Sequence, residues 1–81
     1  MELLALKTFL AVVDEGSMLL AADKLNTVQS NVTARIKKLE KNLGIELFYR
    51  EGKSLSLTPS GRMLIEYAQQ MIKLEQQVVS L

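Results

Sequence analysis

From Ser17 to Gly44 the chain reads SMLLAADKLNTVQSNVTARIKKLEKNLG, two helical periods separated by one short interruption at Asn26 and Thr27. No other feature limits the fold as much. Two helices joined by so few residues must turn sharply, and each then buries one stripe against a shared neighbour. In the first, Met18, Ala21, Ala22 and Leu25 form that stripe behind a Ser17 cap, with small alanines where another helix comes close. In the second, Val28, Val32, Ile36, Leu39 and Leu43 form it, and Gly44 supplies the stop. Asn26 tolerates a left-handed turn, and Thr27 is expected to cap the second helix.

The shared neighbour is written in ELLALKTFLAVVDEG, where Leu3, Leu6, Phe9, Leu10 and Val13 recur at spacings of three and four and Gly16 ends the run. Three helices with a tight turn between the last two make a helix-turn-helix.

The outward side of the third helix carries Gln29, Ser30, Asn31, Thr33, Arg35, Lys37 and Lys38, with no carboxylate before Glu40. An ordinary solvated face would mix Glu and Asp with its Lys in pairs three and four residues apart. Here short uncharged hydrogen-bonding groups come first and cations later. In a helix-turn-helix the first turns of the last helix enter the major groove, where amides and hydroxyls read base edges and cations hold phosphates. An acid there would be repelled by the backbone.

Charge supports a polyanion partner only when divided along the chain. The whole carries +1. Residues 27–62 concentrate Arg35, Lys37, Lys38, Lys41, Arg50, Lys53 and Arg62 against Glu40, Glu46 and Glu51, while the segments on either side are net acidic. A local basic patch of this kind binds phosphate.

After Gly44 the period changes. LFYR and SLSLT are strand-like runs joined by Glu51, Gly52, Lys53 and Ser54, which suits a hairpin with Leu47, Phe48, Leu55 and Leu57 on the core side. Arg50 and Lys53 near its tip are placed to straddle phosphates or reach a minor groove. As a bare structural element the same hairpin could serve only to close the core.

Residues 17–62 resemble the DNA-binding region of LysR-type transcriptional regulators. The elements S, AADKLNTVQSNVTARIKKLEKNLGIELFYR and LSLTPSG match that family's pattern in order and in register. The resemblance implies a mainly α, winged helix-turn-helix fold of three helices plus a β-hairpin wing, followed by a long linker helix. It also implies a bacterial regulator bound to double-stranded DNA, with Gln29 reading bases and Thr27, Ser30, Asn31, Thr33, Arg35 and Lys37 at or near bases and phosphates. Arg50 matches the arginine after the family's LF, and Lys53 a cation of the wing. Leu19 and Leu20 stand where small polar or basic residues are frequent, Ser30 where proline is frequent, and Ala34 where arginine often occurs.

The last stretch, TPSGRMLIEYAQQMIKLEQQVVSL, opens with a Thr58 cap and Pro59 in the first helical turn. Leu64, Tyr67, Met71, Leu74, Val78 and Leu81 make a seam fit for another helix, flanked by a second stripe of Ile65, Ala68, Ile72 and Val79. One stripe suits the domain's own first helix and the other a partner. The residues expected to take part in dimerisation are Ile65, Tyr67, Ala68, Met71, Ile72, Leu74 and Val78. The expected organisation is a DNA-binding domain over 1–58, with the helix-turn-helix at about 18–37 and the wing at about 46–58, then a linker helix over 59–81. An apolar pattern that runs to the last residue without a cap suggests a fragment that lacks an effector-binding domain. The implied partners are an inverted-repeat operator and a second copy of the chain, extending to a tetramer in a full-length protein.

Other classes fit less well. Cysteine and histidine are both absent, which removes disulfides, thiolate nucleophiles, imidazole bases and the common zinc sites, and no cofactor loop occurs. No metal, cofactor or catalytic residue is expected. No apolar run is long enough to span a bilayer and no leader opens the chain, so a cytoplasmic protein is expected. With only four aromatics there is no stacking platform for RNA. A protein-interaction module built on the last helix is the remaining alternative, marked by strong self-association beside weak, salt-independent DNA binding.

Overall fold

A computed structural model describes residues 1–51 and 54–81, without the side chains of residues 51–54. Gly52 and Lys53, and with them the tip of the expected wing and its cation, lie outside the described residues. Element order is α1 (Leu3–Glu15), α2 (Met18–Lys24), α3 (Gln29–Leu43), β1 (Phe48–Glu51), β2 (Ser54–Leu57) and α4 (Pro59–Val79).

Leu6, Phe9, Val12, Ala21, Ala22, Val32, Ile36, Leu39, Leu47 and Ala68 are buried together, so α1 is the hub on which α2, α3 and α4 converge. Both alanines of α2, Ala21 and Ala22, are fully buried in this core, as their place in the stripe suggests. Leu3, Leu10, Val13, Met18, Leu25 and Leu43 sit at the margin of this core, half-buried. Thr8 is also buried, its hydroxyl donating to the Leu4 carbonyl at 2.8 Å, which satisfies its one polar group inside the helix.

The helix ends and turns obey local chemistry. Gly16 and Gly44 end α1 and α3 at φ +72° and +69°, a conformation that costs a residue without Cβ little. Asn26 takes φ +55° in the turn. The Ser17 hydroxyl accepts the Leu20 amide at 3.1 Å at the start of α2.

The start of α3 differs from expectation. Its N-cap is Val28, in extended conformation, with no side-chain cap. Thr27 instead donates its amide to the Ala22 carbonyl at 2.9 Å and accepts the Asn31 side-chain amide at 2.9 Å through its hydroxyl. Thr27 thus belongs to the turn, with its hydroxyl engaged by Asn31 rather than by a first-turn backbone amide, and α3 begins one residue later than expected. Val28, expected in the core, is consequently 60% exposed.

β1 and β2 pair antiparallel, with Phe48 opposite Leu57 and Arg50 opposite Leu55. Phe48 is buried against Phe9 at a ring-centroid distance of 5.6 Å, and Leu55 and Leu57 are half-buried on the core, as the alternation requires. Thr58 fastens the hairpin to α4: its amide donates to the Leu47 carbonyl at 3.0 Å, and its hydroxyl donates to the Glu46 carbonyl at 2.6 Å and accepts the Gly61 amide at 3.0 Å.

The stripes of α4 are divided between neighbours. Leu64, Ile65, Ala68 and Ile72 lie against the core, Ala68 completely buried. Tyr67, Leu74 and Val78 are 59%, 60% and 65% exposed, and Met71 is also exposed. Of the residues expected at a dimer seam, Ile65, Ala68 and Ile72 are therefore occupied within the chain, and Leu64 turns inward with them. Val79, expected in the same stripe as Ile65, is instead exposed near the end of α4.

Candidate nucleic-acid interface

Burial of Val32, Ile36 and Leu39 orients α3. With about 3.6 residues per turn, the positions away from these three must face solvent. Gln29, Ser30, Thr33, Ala34 and Lys37 line one shallow, open surface on that side. Gln29, Thr33 and Lys37 succeed one another at intervals of four, and Ser30 and Ala34 form the adjacent row. In the sequence Ala34 stands out only as a departure from a pattern; the same four-residue spacing from Ser30 is the signal that places it here.

The other expected residues do not share this surface. Arg35 is half-buried on the opposite flank, where it lines a cleft with Lys38, Asn42, the N-terminal Met1 and Glu2, and Leu4 and Ala5 at the beginning of α1. Residues two positions apart on a helix do not share a face, so Arg35 diverges from both Thr33 and Lys37. Asn31 is exposed, with its side-chain amide held by Thr27.

The electrostatics sharpen the contrast between α3 and its surroundings. Lys7 pairs with Glu75 at 3.1 Å, and Lys24 lies 3.8 Å from both Asp14 and Glu15, so these cations face carboxylates across helix contacts. Arg35, Lys37, Lys38 and Lys41 have no ion-pair partner among the described residues. The first turn of α3 holds no acid, which leaves the positive end of its dipole uncompensated.

Glu40, the first carboxylate of the helix, points elsewhere. Its two oxygens accept the Leu47 amide at 2.7 Å and an Arg50 guanidinium nitrogen at 3.0 Å. One side chain thus joins α3 to the hairpin and removes the acid from the exposed surface. Arg50, expected at phosphate, spends at least one donor on this pair. A guanidinium has five N–H groups, and Arg50 keeps enough exposure to present others outward.

The arrangement offers amide and hydroxyl groups in front, unpaired cations behind and a hairpin beside them. A double helix complements such a surface: hydrogen-bonding edges line its groove and phosphates line its rims.

Residues 3–62 match the family described as bacterial regulatory helix-turn-helix protein, lysR family. The chain is 51% identical over 69 residues to the HTH-type transcriptional regulator YofA of Bacillus subtilis (strain 168), an alignment covering 85% of this chain and 24% of YofA. It is 48% identical over 73 residues to the HTH-type transcriptional regulator CzcR of Bacillus anthracis, covering 90% of this chain and 25% of CzcR. The chain thus spans about a quarter of the length of these relatives. Among solved structures, it superposes on a BenM_DBD/benA site 1 DNA complex with TM-score 0.92 at 40% identity, covering 99% of this chain and 90% of that one. A CbnR_DBD-DNA complex gives TM-score 0.94 at 32% identity, covering 99% and 92%.

Proposed function

The chain belongs to the lysR family of bacterial regulatory helix-turn-helix proteins, and on that premise we propose that it binds double-stranded DNA at specific sequences as part of a transcription regulator. The observation that carries this reading is the α3 surface. Gln29, Ser30 and Thr33 present amide and hydroxyl groups beside Lys37, while Glu40 is turned away onto Leu47 and Arg50. With α3 in the major groove, Gln29 reads base edges and Lys37 sits toward the phosphates. The hairpin carrying Arg50 lies along the backbone or the minor groove. Arg35 and Asn31, on other faces, serve the backbone or the packing of the turn. The BenM and CbnR domains that this chain resembles were crystallised as DNA complexes.

Residues 1–58 then form the DNA-reading unit, and α4 is the linker through which two copies pair. Tyr67, Met71, Leu74 and Val78 form the exposed stripe suited to that contact, since Ile65, Ala68 and Ile72 are already occupied. A twofold pair would present two α3 surfaces to an inverted repeat. In a longer chain, an effector-binding domain and tetramer formation would come after α4. No enzymatic step is assigned, and the site of action is the cytoplasm, where bacterial DNA resides.

Selection of bound fragments from a random DNA library at stated salt tests the reading. Recovery of a consensus with inverted symmetry is expected. Binding that enriches no sequence, or that does not weaken as salt rises, would overturn it, because phosphate contacts release counterions and make affinity salt-dependent.

A further inference from the structure

Val28, expected in the core, stands outside it. It sits immediately before Gln29 with φ −100° and ψ 156°, and its isopropyl group is 60% exposed. Folding gives no reason for valine there. An N-cap favours Ser, Thr, Asn or Asp, whose oxygen accepts one of the orphan amides of the first turn, and valine ranks among the poorest choices. Ser17 and Thr58 make such bonds at the starts of α2 and α4, but Val28 makes none. An exposed apolar side chain at this site neither fills the core nor caps the helix.

Its location supplies a use. With the first turns of α3 in the groove as proposed, the exposed side chain directly preceding Gln29 stands at their leading end. The valine side chain has no donor or acceptor and cannot hydrogen-bond a phosphate or a base. In the major groove the one apolar group on offer is the C5-methyl of thymine. We infer that Val28 packs against the C5-methyl of one thymine in each half-site, making it a specificity residue beside Gln29. This contact rests on the DNA-binding reading above and adds a base preference to it.

Deoxyuridine differs from thymidine only by that methyl, so it isolates the contact. A site selected by the 81-residue chain is resynthesised with each dT in turn replaced by dU, and affinities are measured at fixed salt. One position per half-site is expected to lose about fourfold, the effect of exposing one buried methyl-sized group. Val28→Ser should bind the dT and dU forms of that position equally. Serine is a favoured N-cap, so thermal unfolding should show this variant at least as stable as the parent. Val28→Thr, which keeps one methyl, should retain part of the discrimination.

Indifference of the parent chain to every dU substitution would overturn the contact. So would a Val28→Ser variant that discriminates dT from dU as strongly as the parent, since another side chain would then be touching the methyl. Either result with a consensus still selected leaves the DNA-binding reading intact. Failure to select any consensus removes both.

Discussion

Glu40 on α3 and Arg50 on β1 are joined by a 3.0 Å ion pair, and the same carboxylate accepts the Leu47 amide at 2.7 Å. The pair is a brace between the helix proposed to read DNA and the hairpin beside it. Its two members are not equivalent: the Glu40 side chain is 10% exposed and that of Arg50 39%.

Glu40→Ala should therefore cost about 1–3 kcal/mol of stability, since it leaves the part-buried Leu47 amide without its acceptor. Arg50→Ala should cost less, about 0–1 kcal/mol, because its guanidinium is partly solvated and the Glu40 carboxylate keeps its bond to the Leu47 amide. Urea midpoints of both variants check the order. Equal losses would mean that the Leu47 bond contributes nothing of its own.

Gly61 in the first turn of α4 packs against the hairpin base so closely that a Cβ there would collide with the Leu47 carbonyl and lie 2.8 Å from Leu57 Cδ2. Gly61→Ala should destabilise the fold by about 1–3 kcal/mol, the range for overpacking. This is the opposite sign from an exposed helix site, where alanine gains up to about 1 kcal/mol over glycine. A rise in melting temperature would show that α4 can move away from Leu47 at little cost.

Gln29 and Lys37 lie on one surface but should fail differently. Gln29→Ala is expected to lose about 1–3 kcal/mol on the selected site and much less on random DNA. Lys37→Ala should weaken binding to all sequences and reduce the salt slope by about 0.9, the value for one lost phosphate contact. Titrations of both variants on both DNAs, repeated across a salt series, separate the roles. Identical behaviour of the two variants would contradict the division of labour along α3.

The two stripes of α4 should also separate. Replacing Met71 and Leu74 with Glu changes exposed side chains, so stability should stay within about 0.5 kcal/mol while cooperative binding to paired half-sites is lost. Ala68→Glu places a carboxylate in a fully buried position and should unfold the domain. Band-shift assays on single and paired half-sites, with circular dichroism as a folding check, provide the comparison. Cooperative binding by the Met71, Leu74 double variant would locate the dimer contact elsewhere.

Much of the molecule was legible in the chain because it depends on neighbours in sequence. Ser17 and Thr58 cap the helices they precede, Asn26 and Gly44 take left-handed conformations at turn and terminus, and the polar order of Gln29, Ser30, Thr33 and Lys37 survives as one surface. Each rests on hydrogen bonds or periodicity within a few residues. Helical periodicity gives angles between side chains but neither the residue at which a helix starts nor the side that meets a neighbour. Those were tertiary decisions. The turn that bonds Thr27 to Ala22 left Val28 outside the core at the start of α3, packing on α1 chose Ala68 and Ile72 over Tyr67 and Leu74, and the folding back of the hairpin brought Arg50 to Glu40 and Leu47 onto Gly61. Contacts of that kind join positions whose separation along the chain carries no pattern, and only the packed arrangement of the helices brings them together.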